Sequence, residues 1–154
     1  NTRPRQLLHA IRATFPLLDI VEEHCMAYSG LGSRLLTLDI YVPALEIAFE
    51  YQGEQHFYDV YPGTPSIATR QRHDRDKLQY CKDAGIQLVP IPYWWDGSLP
   101  SLVATIAHYC PWLALQTTRG VMPLLDKIEA SSAAEATTPN KNKELMEGTN
   151  VTLQ

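Results

Sequence analysis

Two neighbouring runs near the middle of this chain alternate apolar and polar residues with a period of two. In the first, Leu36, Leu38, Ile40 and Val42 share one face, and Thr37, Asp39 and Tyr41 the other. In the second, Leu45, Ile47, Phe49 and Tyr51 lie opposite Glu46, Ala48, Glu50 and Gln52. These are two β-strands joined by a short turn at Pro43-Ala44. Helical spacing appears on both sides of them. Leu7, Leu8, Ile11 and Phe15 form one stripe of a helix over Pro4 to Phe15, interrupted by Pro16. Leu17 to Val21 is an edge strand or an extended connection, and Tyr28 to Arg34 has the composition of a loop. A helix over Ile67 to Ala84 stops at Gly85. Ile86 to Ile91 reads as a buried strand beside the hairpin, which Pro90 and Pro92 make irregular or confine to an edge. Ser98 caps a helix whose stripe is Leu99, Leu102, Val103, Ile106 and Cys110, and Val121 to Ile128 is a last weak helix. The pattern therefore predicts an α/β (α+β) fold: a small mixed sheet flanked by helices, over residues 1–128. From 129 to 154 the small and polar residues bury too little surface to order the chain, and a disordered tail is expected.

Burial fixes how the two strands pair. Both apolar faces must lie on one side, and a one-residue slip would turn one of them to water. Pairing Val42 with Ile47 and Ile40 with Phe49 satisfies this, and it sets Asp39 across from Glu50. A two-residue slip leaves the carboxylates as diagonal neighbours. Like charges on adjacent strands destabilise a sheet, unless a cation binds between them, and hard cations such as Mg²⁺ take oxygen ligands. The other reading is a pair of solvated residues on an exposed sheet face.

Composition narrows the class. With 154 residues, 45% hydrophobic and 19% charged, one soluble domain with a real core is expected. No apolar run approaches the ~20 residues that span a bilayer, so no membrane partner is expected. Cys25, Cys81 and Cys110 are odd in number and contain no CxxC pair, which argues against a disulfide framework and a zinc site. With no secretory signal at the start, they point to an intracellular protein, cytoplasmic or nuclear and not secreted. Asn150-Val151-Thr152 is then a chance sequon. The first residue is Asn1 rather than Met, as expected of a piece of a longer chain. The net charge of −4 does not advertise nucleic-acid binding, although a local basic face decides that question.

Asp39 followed by Glu50-Tyr51-Gln52 on the next strand resembles the PD-(D/E)XK, or restriction-endonuclease-like, nuclease superfamily. Leu38 to Pro43, Glu50 to Phe57, Arg75-Asp76-Lys77 and Gly85 to Tyr93 resemble one branch of it, small domains akin to very-short-patch-repair and homing endonucleases. The likeness covers about Leu7 to Tyr109. It implies a restriction-endonuclease-like core and metal-dependent hydrolysis of phosphodiester bonds in DNA. Asp39, Glu50 and a carbonyl near Tyr51 would hold Mg²⁺ or Mn²⁺. In this superfamily an acidic residue ahead of the motif Asp sometimes assists, a role for Glu22 or Glu23 unless both are plain surface glutamates. The partner would be DNA, with a homodimer as an allowed assembly.

One departure matters. The superfamily usually places a lysine where this chain has Gln52, and glutamine can orient water but supplies no charge. Lys77, on the following helix, could supply the ammonium if that helix packs over the hairpin. His56 is either a proton-transfer or orienting group or a structural histidine. Arg70, Arg72, Arg75, Lys77 and Lys82 make the same helix the most basic element, a phosphate-binding surface, with Arg70, Arg75 and Lys77 as the contacts, or a salt-bridged solvent face interleaved with Asp74, Asp76 and Asp83. Arg34 is a further candidate phosphate contact. Tyr93, Trp94 and Trp95 either stack on bases or cap the core. The alternative to an enzyme is a degenerate module of the same fold that binds nucleic acid or a protein partner.

Overall fold

Three consecutive strands form an antiparallel meander, and a fourth runs parallel to the third after a helical crossover. They are β1 (Val21–Tyr28), β2 (Arg34–Val42), β3 (Ile47–Gln52) and β4 (Gln87–Pro92), in spatial order β1-β2-β3-β4. The structure is a computed structural model that describes residues 2–28, 34–59 and 62–125. Three helices complete it: α1 (Thr2–Thr14), α2 (Ile67–Asp83) and α3 (Leu99–Tyr109). The expected mixed α+β architecture is the one observed.

The sheet separates two cores. On one face, Leu7, Ala10 and Ile11 of α1 and Leu102 and Ile106 of α3 pack against Ile40, Val42, Ile47, Phe49, Val89 and Ile91. On the other, Cys81 of α2 closes over Leu38, Ala48, Ile86 and Leu88. Cys81 is the only fully buried residue of α2, so this helix lays mainly polar side chains over the sheet. That is how a lysine comes to sit against it.

The register is the expected one: Val42 faces Ile47 and Ile40 faces Phe49. Leu45 and Tyr51 pack with Ile47 and Phe49, again as expected. The expected common face for Leu36, Leu38, Ile40 and Val42 is not observed. Leu36 and Leu38 pack beneath α2, whereas Ile40 and Val42 face α1 and α3. The alternation changes phase at Asp39. Opposite it, β1 skips a pair between Glu22↔Ile40 and His24↔Leu38, leaving Glu23 with a φ of 47°. A left-handed residue cannot continue an extended strand, and a glutamate there is strained by about 1–2 kcal/mol. Asparagine tolerates this conformation and valine does not. Glu23→Asn should therefore raise the melting temperature slightly and Glu23→Val lower it, the reverse of their strand propensities; a scanning thermal melt of both decides it.

The helix ends follow the sequence. Ser66 caps α2 by accepting from the Thr69 N–H, and Gly85 takes the left-handed turn after it (φ 74°). Ser98 caps α3 through Ser101, while Trp95 is 1% exposed and donates its indole N–H to the Ser98 carbonyl. The α3 stripe is narrower than expected: Leu102, Ile106 and Cys110 are buried, but Leu99 is exposed. Of the two readings of Leu17 to Val21, the connection is the one observed, and the edge strand starts at Val21 and carries Glu22, Glu23 and His24. Tyr28 and Arg34 belong to strand ends rather than to a loop. β4 is an edge strand, where its two prolines lack only N–H groups the sheet can spare.

These elements form one compact unit over Asn1–Leu124. Val121 to Leu125 is irregular, not helical, and Leu124 donates its N–H to Thr105 Oγ1. The rest of the expected weak helix, the expected tail and the sequon lie outside the described residues. Among the described residues, no helix is long and apolar enough to cross a membrane.

Candidate metal centre

β2 and β3 stop pairing beyond Ile40–Phe49, forming a fork, and Asp39 and Glu50 flank that last pair, near enough for the charge of Asp39 to act on Glu50. The Tyr51 N–H, which would otherwise lose its ladder partner, donates to Asp39 Oδ2 at 3.0 Å. In an extended strand a residue's N–H and C=O leave on the same side. The Tyr51 carbonyl therefore also faces the fork, where the resemblance expects a ligand.

Glu50 turns toward α2. Lys77 Nζ donates to Glu50 Oε1 at 2.5 Å and to the Thr37 carbonyl at 2.8 Å. α2 thus packs so that the Lys77 ammonium lies against Glu50. Burial, and then the charge of Asp39, push the Glu50 carboxyl above its ordinary value; Lys77 and the nearby Asp39 main-chain N–H pull it down without prevailing. Glu50 Oε2 is buried and has no hydrogen-bond partner, and the same is true of Gln52 Oε1. Orphaned buried oxygens are costly. Glu50 Oε2, with the Asp39 carboxylate close enough to act on it, offers the oxygen donors that suit a hard divalent cation, which often needs only one or two carboxylates. Among the described residues no group of three or more His, Cys, Asp or Glu side chains assembles, so the fit is to that sparse kind of site. Neither buried cysteine offers a thiolate: burial pushes the Cys81 and Cys110 thiols up to about 11.

The remaining candidates separate. His56 Nδ1 pairs with Asp74 Oδ2 of α2 at 2.9 Å, which ties the short turn Glu54–His56 to the helix. It does not join Asp39 and Glu50. Arg70 is not an open phosphate contact: its guanidinium donates to Asp59 (3.0 Å), the Tyr58 carbonyl (3.2 Å) and Thr64 (3.2 Å), stapling the loop before α2. Arg75 is exposed on α2. Arg34 heads β2, and its side chain lies outside the described set. Lys77 is occupied by Glu50, so the basic surface expected on α2 loses two of its cations.

Asp39 opens instead onto a cleft of about 890 Å³ on the α1 side, lined also by Tyr51, Glu54 and Tyr93. Two cations the sequence reading missed, Arg3 and Arg5, line it from the start of α1. No local pattern marks them, because only the packing of α1 brings them there. Glu22 and Glu23 reach the same cleft. Glu22 is paired with Arg12 at 2.9 Å, which leaves Glu23, facing Asp39, as the better placed of the two.

No protein-family model matches the chain, and no solved structure matches it. A stretch of 64 residues is 39% identical to "Uncharacterized protein 094L" of Frog virus 3 (isolate Goorha), covering 39% of this chain. The chain thus spans about two fifths of that relative, 41% of its length.

Proposed function

We propose that this domain is a metal-dependent endonuclease of PD-(D/E)XK type that hydrolyses phosphodiester bonds of DNA. The observation that carries the reading is the fork itself: Asp39 and Glu50 from adjacent strands, with Lys77 bonded to Glu50. Asp39, Glu50 Oε2 and the Tyr51 carbonyl would hold Mg²⁺ or Mn²⁺. Such an ion, when bound, offsets charge on the phosphoryl oxygen and acidifies the attacking water. Lys77 holds the Glu50 side chain in place and contributes the positive charge that Gln52 lacks. Gln52, with its buried amide oxygen unbonded, is suited to orient a water as a hydrogen-bond acceptor. His56 has no part in this scheme beyond holding its turn against α2.

The second reading, a degenerate binding module, is favoured by Gln52 and by the net charge of −4. Incubation with plasmid and single-stranded DNA plus Mg²⁺ or Mn²⁺ separates the two. Cleavage that EDTA, Asp39→Ala or Glu50→Ala abolishes is expected. Binding without cleavage, indifferent to EDTA, would establish the module.

A further inference from the structure

The fork explains where a phosphodiester would be cut but not how the strand that carries it is held. The surface that the sequence nominated has two of its cations engaged elsewhere. Arg70 is committed to the loop before α2 and Lys77 to Glu50. The cleft onto which Asp39 opens has other features. Arg3 and Arg5 project from the first turns of α1 into it, Arg5 exposed and Arg3 half-buried. Neither has a carboxylate partner among the described residues; Arg3 donates over a long 3.5 Å to Gln6 Oε1.

An aromatic cluster reaches the wall through Tyr93. Tyr93 lines the cleft and meets Trp94 edge-on, with ring centroids 5.2 Å apart, and Phe57 packs on both. Trp95, the neighbour, is the core cap; Trp94 is 38% exposed. Cations beside exposed aromatic rings are the combination that grips an unpaired strand, through phosphates on one side and base stacking on the other. A duplex keeps its bases inside and offers such rings nothing.

Resting on the endonuclease reading, we propose that the cleft takes a single nucleic-acid strand, with phosphates on Arg3 and Arg5 and bases against Tyr93 and Trp94. The acids in the same cleft add a condition. Even with Glu22 neutralised by Arg12, Glu23, Asp39 and Glu54 outnumber the two arginines. A polyanion enters such a cleft only when a divalent cation offsets those carboxylates, so binding is cation-dependent.

The test is equilibrium binding of a fluorescent oligothymidylate and of a blunt hairpin duplex, in Ca²⁺ to slow any cleavage and again in EDTA. Tight binding of the oligothymidylate in Ca²⁺, at least about tenfold weaker in EDTA and weaker for the duplex, is expected. Neutralising both arginines (Arg3→Gln with Arg5→Gln) should reduce the logarithmic salt slope by about 1.4, the value for two phosphate contacts on a single strand. Trp94→Ala should weaken binding about tenfold, the loss of one stacked base. Arg3 is half-buried and Trp94 packs on Phe57 and Tyr93, so each variant is compared only with its melting temperature unchanged, which confirms folding. Preference for the duplex, or a larger loss from Arg75→Gln than from the arginine pair, would overturn the inference. If cation-dependent cleavage persists in that case, the endonuclease reading survives; absence of both cleavage and binding removes the two together.

Discussion

Asp39→Asn should reduce cleavage by at least about a thousandfold, the several kcal/mol that a metal-held phosphoryl site contributes, and leave the fold intact. Asparagine keeps the shape of the side chain, and its amide oxygen still accepts the Tyr51 N–H that Asp39 Oδ2 accepts now. What disappears is the charge. Asp39 is one of the causes that raise the Glu50 carboxyl, so its removal relieves Glu50 and stability should be equal or slightly higher. An inactive variant that melts no earlier than the parent, measured by single-turnover cleavage and calorimetric melting, is therefore expected. Loss of stability in step with activity would place Asp39 among structural residues.

Lys77→Met should cost about 3 kcal/mol near neutral pH, since it leaves a buried carboxylate without its cation, or roughly 10 °C in melting temperature. Both side chains are well covered, Lys77 at 18% and Glu50 at 16% exposure, so solvent cannot replace the pair. The pH dependence has a definite sign. Glu50 already has a folded pKa above its unfolded value of 4.5, so folding favours its protonated form. Stability therefore falls as pH rises from 4.5 through the raised value, and removal of Lys77 deepens that fall. The gap between parent and variant should narrow in acid and widen above it. Adding Glu50→Gln to Lys77→Met should recover most of the loss at neutral pH. A deficit unchanged by acid and by the second substitution would mean that Lys77 contributes only its stem to packing.

Much of the hairpin was legible because both apolar faces had to be buried together, which admits few registers. The Val42–Ile47 and Ile40–Phe49 pairs are one of the registers that requirement admits, a two-residue slip being another. The phase change at Asp39 did not, because periodicity assumes regular strands and Glu23 departs from one through a backbone angle that no pattern encodes. The end of α2 was legible at Gly85 and the start of α3 at Ser98, residues that fix those ends locally, whereas the Ser66 cap of α2 was not read. That β4 runs parallel to β3 was not, since pairing direction leaves no mark on a short apolar run. In the site, adjacent strands brought Asp39 and Glu50 together visibly. Lys77 was legible only as a condition on how α2 packs, which the bond to Glu50 meets. Arg70 misled because its partners Asp59 and Tyr58 belong to a loop whose path the sequence does not specify. Arg3 and Arg5 were missed for the converse reason: their place on the cleft depends on a helix far away in sequence.

Calorimetric titration with Mn²⁺, in the presence of an oligothymidylate, tests the shared cation most directly. Uptake at one site or an adjacent pair is expected, weakened at least about tenfold by Asp39→Asn and likewise by Glu50→Gln, in keeping with a few kcal/mol per carboxylate. Protein that takes up no Mn²⁺, or takes it up equally well without either acid, would contradict it.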